Sequence, residues 1–271
     1  MTNDIVTIEY DELNYNVLKS ANNNILRIDK LGTHFFIRIN LKENNDKLVV
    51  FSNGAIDRSK KSPPIFMRSS WAEEINAHCI FVDDPTIHNS SLTIGWGIGT
   101  ENHYYLKTIH EILSRISLLL NIENTNVLYY GSSAGGTMSV MLATMHKGSS
   151  ALVNNPQAYT YKYLKGQVVE KIKFKHFPNW DTAQLISTYP ERFSITACFK
   201  KNNHIPNILY VFNGYSFTDY DKQYIPLSEE LRSSSFDISN IEFLMYHDKK
   251  LKHGPLSRDR TVKLINANLL K

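Results

Sequence analysis

One short run of small residues constrains this chain more than any other feature. Gly131-Ser132-Ser133-Ala134-Gly135-Gly136 stands between the apolar, aromatic run Asn126-Val127-Leu128-Tyr129-Tyr130 and a methionine-rich stretch from Thr137 to His146. The first run has the length and side chains of a buried strand, and the second has the composition of a buried helix. A strand that becomes a helix within so few residues must pass close to its own backbone. Gly131 and Gly135 lie two positions either side of Ser133, which is the G-x-S-x-G spacing such a bend requires, and Ala134 and Gly136 add room. The bend predicted here lifts the Ser133 hydroxyl off the end of a strand. It also starts a helix whose first N–H groups and dipole point to the same place. The competing account of a Gly/Ser cluster is an ordinary turn, which has no need of a buried strand before it and a helix after it.

Strand and helix signals alternate along the rest of the chain. Residues 7–40 alternate in short runs and predict two or three edge strands joined by polar turns. Residues 47–55 (KLVVFSNGA) form an apolar run that ends in Asn53-Gly54, as a buried parallel strand does where it enters a tight loop. Further strands are predicted at 78–82, 126–130, 152–153, 207–213 and 241–246. Apolar residues at 105, 106, 109, 112, 113, 116, 119 and 120 have helical spacing, and helices are also predicted over 136–147, 226–233 and 257–270. This alternation predicts an α/β protein with a doubly wound, mostly parallel sheet, and a single domain spanning 1–271. Residues 156–203 are aromatic and basic and lack strand alternation. They are expected to form a helical, lid-like insertion over the carboxyl edge of the sheet.

Composition narrows the classes. At 42% hydrophobic and 21% charged residues, the chain is an ordinary globular sequence rather than a disordered one. A net charge of +4 suits an anionic partner but is too small and scattered for a nucleic-acid surface. The two cysteines, Cys79 and Cys198, lie in apolar surroundings, with neither a disulfide framework nor zinc-ligand spacing, so no metal is expected. The first residues, MTNDIVTIEYDEL, lack a basic region followed by an apolar one. No run approaches a membrane span, and a cytoplasmic protein with at most peripheral membrane association is expected.

Strand, G-x-S-x-G bend and helix together predict the α/β-hydrolase fold with Ser133 as nucleophile, and in that fold an acid and then a histidine follow in chain order. His253 lies between the strand at 241–246 and the final helix, where a general base belongs, with Gly254-Pro255 holding the loop open; His247 is the second candidate. The acid is expected after the strand at 207–213, where Asp219 and Asp221 are both available. Asp219 is preferred for being nearer the strand end, although a solvated loop aspartate explains either residue. Backbone N–H groups of Ala134 and of Gly54 or Ala55 are the expected oxyanion donors, unless Asn53-Gly54 is only a turn.

Around the elbow stand Asn154-x-Pro156-Gln157 downstream, and Asp84-Pro85-Thr86 and Gly95-Trp96-x-x-Gly99 upstream. With the G-S-S-A-G-G run, this combination resembles a group of bacterial α/β-hydrolase-like proteins of surface-polysaccharide biosynthesis. That group includes capsular polysaccharide O-acetyltransferases, and accessory-secretion proteins that acetylate sugars on serine-rich glycoproteins are similar. The resemblance covers residues 48–253 and is strongest over 131–157. It implies a Ser-Asp-His triad that moves an acetyl group onto a sugar hydroxyl, with acetyl-CoA as donor and no bound cofactor. Ser133 and His253 match the serine and histidine of that pattern. The acid departs from it, because Ser216 or Phe217 occupies the usual place, so either Asp219 substitutes through a loop shift or the triad is a weakened dyad. On this reading the acceptor is a polysaccharide or oligosaccharide, anionic if Lys165, Lys171, Lys173 and Lys175 face it rather than solvent. His88 and Trp96 are expected on the acceptor side, with core packing as the alternative for Trp96. Tyr159 is expected to bind substrate in a lid surface that includes Tyr161, Tyr163, Phe177 and Trp180, or else these aromatics pack on the sheet. The same serine chemistry would serve a carbohydrate esterase, and loss of the acid would leave a non-catalytic component of a glycan-export complex.

Overall fold

The computed structural model describes residues 4–270. In chain order its regular elements are β1 (Ile5–Glu9), α1 (Tyr15–Ser20), β2 (Ile25–Lys30), β3 (Thr33–Asn40), β4 (Leu48–Ser52), β5 (His78–Val82), α2 (Tyr105–Leu119), β6 (Val127–Ser132), α3 (Ala134–Met145), β7 (Ser150–Asn154), α4 (Gln167–His176), α5 (Thr182–Thr188), α6 (Ile195–Asn202), β8 (Asn207–Asn213), α7 (Phe217–Asp219), α8 (Ile225–Ser233), β9 (Ile241–Tyr246) and α9 (Arg258–Asn268). The nine strands form one sheet in the order β1-β2-β3-β5-β4-β6-β7-β8-β9. β3 runs antiparallel to both its neighbours, and every other pairing is parallel.

The central strands owe their position to apolar content on both faces. β4, β5 and β6 are buried along their whole length, as strands covered from both sides must be. On one face Val50, Ile80 and Tyr129 meet α2, α3 and α6; on the other Val49, Phe51, Phe81 and Tyr130 lie under α9. α2 contributes Leu106, Ile109, Ile112, Leu113 and Ile116 to the first layer, at the spacing that puts them on a single helix face. Leu31 and Gly32, both at positive φ, close the two-residue hairpin between β2 and β3.

Two sequence expectations change. β1 and β2 pair in parallel through the short helix α1, so the first strands are not joined only by polar turns. The segment 156–203 also divides into two parts with different surroundings. Residues 160–188, comprising the turns at Thr160–Gly166 and helices α4 and α5, lie at the carboxyl end of the sheet, where His176 Nε2 sits 2.8 Å from the Thr86 carbonyl oxygen just beyond β5. α6 instead buries Ile195, Cys198 and Phe199 in the core beside α3, and it is the crossover helix that leads into β8. Its short apolar stripe was hidden among basic and aromatic neighbours.

Candidate active site

Ser133 sits at φ 54 and ψ −127, a region that side-chain-bearing residues enter only under constraint. The glycines around it are the constraint. A Cβ on Gly131 would come within 2.2 Å of the Gly135 backbone, and a Cβ on Gly135 within 2.3 Å of the Ser52 carbonyl oxygen. β6, the start of α3 and the end of β4 therefore touch backbone to backbone. The Ser133 N–H donates to Asn154 O at 2.9 Å, which pins the bend to the end of β7.

The loops after β8 and β9 bring two side chains to this serine. Ser133 Oγ lies 2.9 Å from His253 Nε2, and His253 Nδ1 lies 2.6 Å from Asp219 Oδ1. Because the carboxylate accepts, the imidazole carries its proton on Nδ1 and presents Nε2 to the hydroxyl. Asp219 is 2% exposed, whereas the His253 side chain keeps 34% exposure and so faces an opening. Ser216, which occupies the place expected for the acid, caps the turn that carries Asp219: its backbone carbonyl and its Oγ both accept from the Asp219 N–H, at 3.0 and 3.4 Å. A π-helical turn at Tyr220–Tyr224 follows. This capped turn buries Asp219 and leaves Asp221 exposed. His247 is also exposed, edge-on to Tyr215 with ring centres 5.6 Å apart.

Asparagines at the ends of β7 and β8 hold the histidine loop. Asn155 Nδ2 donates to the carbonyls of His253 (3.0 Å) and Gly254 (3.2 Å), and Asn213 Nδ2 donates to those of Asp248 (2.7 Å) and Lys252 (2.8 Å). Leu256 N–H donates to Asn154 Oδ1 at 2.8 Å. The Asn154-Asn155 pair was visible in the sequence as part of a motif, but its partners lie roughly a hundred residues away in the chain, beyond the reach of any local pattern.

Ala134 heads α3, so its N–H has no intrahelical carbonyl to bond and points out of the helix end beside Ser133. Gly54 lies beside the end of β6: a Cβ there would lie 3.4 Å from Ser132 O. Asn53 fixes this loop, accepting from Met67 N–H at 2.8 Å and donating to Ile65 O, so the asparagine is more than a turn former. Ala55 is exposed one residue further out. Arg68, itself at φ 67, donates to Ser132 Oγ at 2.6 Å and places its guanidinium about equally far from the rings of Trp71 and Tyr130.

The remaining expected residues are distributed differently. Trp96 is fully buried at φ 51, and its Nε1–H donates to Gln157 Oε1 at 3.1 Å. Gln157, 1% exposed, in turn donates from Nε2 to Ser133 Oγ at 2.9 Å. Trp96 thus reaches Ser133 only through Gln157, a contact of Ser133 that the sequence shows merely as part of the Asn-x-Pro-Gln motif. Tyr159 is 3% exposed with its hydroxyl donating to Glu230 at 2.5 Å, which makes it a core residue of the segment and not an open binding surface. Tyr163 lies beside the imidazole of His253, with ring centres 6.2 Å apart, and it meets Trp96 edge-on at 6.3 Å. Phe177 is buried, and Trp180 packs on Tyr189. His88 pairs with the buried Asp83 and stacks on Phe36. Lys165, Lys171 and Lys175 are exposed and Lys173 is half-buried.

Asp84, Thr86 and the Gly95–Gly99 loop form one buried unit behind Trp96. Asp84 Oδ1 accepts from Thr86 N–H at 3.0 Å, and Gly99 N–H donates to Thr86 Oγ1 at 3.1 Å. A Cβ on Gly95 would fall within 2.6 Å of both Asp84 and Thr86, so only glycine fits. Burial pushes the Asp84 carboxyl up to about 6. It likewise pushes the thiols of Cys79 and Cys198 up to about 12, which leaves them inert. Among the described residues no group of three or more His, Cys, Asp or Glu side chains could hold a metal ion, and no helix is long and apolar enough to cross a membrane.

No protein-family model and no curated protein matches the sequence. Solved structures do match the fold. The capsule O-acetyltransferase of Neisseria meningitidis serogroup A superposes with a TM-score of 0.66 at 15% identity, over 90% of this chain and 96% of that one. A glycosylation-associated protein complex (Gap123) from Streptococcus agalactiae gives 0.61 at 15% identity, over 89% of this chain and 45% of that one. An S-formylglutathione hydrolase from Staphylococcus aureus gives 0.57 at 12% identity, over 90% and 97%. The chain has the α/β-hydrolase fold, in the form shared by a capsule O-acetyltransferase and by serine hydrolases.

Proposed function

We propose that this protein is a serine-dependent O-acetyltransferase of the α/β-hydrolase fold that acts on a sugar hydroxyl of a bacterial surface polysaccharide. The observation that carries the reading is the unbroken contact from Ser133 Oγ through His253 to the buried Asp219 carboxyl, at 2.9 and 2.6 Å. His253 Nε2 takes the proton from Ser133 as Oγ bonds to the acyl carbon of the donor, and the leaving thiol departs with that proton. The acceptor hydroxyl then gives its proton to Nε2, its oxygen bonds to the acyl carbon, and Ser133 Oγ leaves protonated. Asp219 fixes the imidazole tautomer and stabilises the imidazolium in both halves. The N–H groups of Ala134 and Gly54 hold the oxyanion; Ala55, exposed one residue further along, is the weaker candidate for the second donor.

Acetyl-CoA is the proposed donor, since a variant of the Neisseria acetyltransferase, with a TM-score of 0.64 to this chain, has been solved in complex with CoA. The Gap123 likeness supports work alongside glycan-building machinery. We take the whole chain to act as one domain, with residues 160–188 forming the cover over the site. The alternative is a carbohydrate acetyl esterase, favoured by the 34% exposure of the His253 side chain, which gives water a path to the acyl-enzyme.

A fluorophosphonate probe is expected to label the protein and to fail on Ser133→Ala. Incubation with acetyl-CoA and a capsule-type oligosaccharide, followed by NMR, is expected to show an acetylated sugar. Release of acetate alone would assign the esterase. Absence of labelling would end the catalytic reading and leave a structural component.

A further inference from the structure

We propose that Gln157 is a catalytic residue whose side-chain amide serves the second half-reaction, stabilising Ser133 Oγ as it leaves the acyl-enzyme. This rests on Ser133 being the nucleophile, as inferred above, and assigns a task to a contact that the Ser-His-Asp relay does not use.

The direction of the hydrogen bond is fixed by chemistry. An indole N–H only donates, so Trp96 Nε1, 3.1 Å away, requires the amide oxygen of Gln157 on its side. The amide nitrogen is thereby turned to Ser133 Oγ at 2.9 Å. Gln157 cannot flip without leaving a buried N–H facing a buried NH₂, because Trp96 is fully buried and Gln157 is 1% exposed. Its backbone is held as well: Thr137 Oγ1 donates to Gln157 O at 2.9 Å and accepts from Gln157 N–H at 3.0 Å. Both ends of the chain of contacts stand at positive φ, Trp96 at 51° and Ser133 at 54°. An aromatic residue rarely adopts such a backbone, and here it aims the indole at the amide.

A fixed donor on Oγ does not act equally on the two steps. During acylation Oγ is the nucleophile, and a donor withdraws electron density from it. In the acyl-enzyme Oγ has become an ester oxygen and no longer donates to His253, while the Gln157 N–H still reaches it. As the tetrahedral intermediate collapses toward product, the Oγ–carbon bond breaks and negative charge gathers on Oγ, where the donor already sits without solvent to reorganise. Gln157 therefore shortens the life of the acyl-enzyme, and Trp96 is the positioning residue that keeps it pointed correctly.

The test separates the two steps. Rapid-quench mass spectrometry and stopped-flow kinetics with p-nitrophenyl acetate report formation of acetyl-Ser133 and its discharge. Gln157→Met is expected to slow discharge about tenfold, the effect of losing one hydrogen bond to a developing charge, without slowing acylation, so that the acetylated protein accumulates. Gln157→Glu keeps the shape and removes the donor, and Trp96→Phe keeps the glutamine but frees its amide. Both are expected to shift the same balance in the same direction, Trp96→Phe by less. If these variants slow acylation while discharge is unchanged, or slow both steps equally, Gln157 only positions the serine and the proposal is overturned. If acetyl-Ser133 forms in neither the wild type nor any variant, the acyltransferase reading itself fails, and this inference falls with it.

Discussion

At the scale of single residues, the site depends on side chains whose identity was legible and whose reach was not. Ser133 and His253 could be read because one lies in a spacing that only a tight bend requires and the other stands at a fixed place in chain order. Asp219 and Asp221 could not be separated that way. What sets them apart in the structure is a turn capped by Ser216, which buries Asp219 and leaves Asp221 exposed, and two-residue differences in a loop carry no periodic signal. Replacing Asp219 by asparagine keeps the shape, but its amide favours the wrong imidazole tautomer. The expected result is a fall of about 10⁴-fold in turnover of an activated ester. Asp221→Asn is expected to stay within twofold, roughly the range of a surface change. Equal loss in both variants would show that the turn, and not the Asp219 carboxyl, is what matters.

At the scale of elements, alternation of strands and helices was readable because the central strands are apolar along most of their length, α2 carries one apolar stripe and α3 is built of small and apolar residues that are buried all round. α6 is not legible as a core helix because Lys200 and Lys201 and the polar residues around them mask the Ile195, Cys198 and Phe199 that reach the core. The backbone crossing at the elbow is a tight joint between β6, α3 and β4. A methyl group on Gly135 would meet the Ser52 carbonyl at 2.3 Å, and backbone cannot give way as a side chain does. Gly135→Ala is expected to destabilise by about 3 kcal/mol, visible as a melting temperature several degrees lower and a reduced urea midpoint. A second joint, between β7 and the histidine loop, rests on Asn155, whose amide bridges the His253 and Gly254 carbonyls. Asn155→Ala is expected to leave the sheet intact and to lower kcat/KM on the order of a hundredfold, since the base loses its placement and not its chemistry. Labelling of Ser133 should slow in parallel, and unimpaired labelling would count against the anchor.

For the molecule as a whole, the informative group is Asp84, because it joins the carboxyl edge of the sheet to the Gly95–Gly99 loop while carrying an acid inside the protein. The Asp-Pro-Thr and Gly-Trp-x-x-Gly motifs were visible as separate strings, and nothing local says that they fold against each other. Desolvation is the largest influence on Asp84 and holds its folded pKa at about 6, above the usual 3.8, against the opposing hydrogen bonds from Thr86 and Gly97. A raised folded pKa means that the native state binds this proton more tightly than the unfolded chain does. The stability linked to Asp84 is therefore fully present below pH 3.8 and is lost as pH rises through about 6. Two pH units of difference correspond to roughly 3 kcal/mol for a fully buried group. Asp84→Asn cannot titrate, so the unfolding free energy of the wild type minus that of the variant is expected to fall by most of this amount between pH 4 and pH 7. Taking the difference cancels carboxylates elsewhere, whose own acid sensitivity would otherwise dominate a single titration. Urea melts of both proteins across that range measure it directly; a difference that stays flat would mean that the Thr86 and Gly97 hydrogen bonds balance desolvation at this site, and one that rises with pH would mean that they outweigh it.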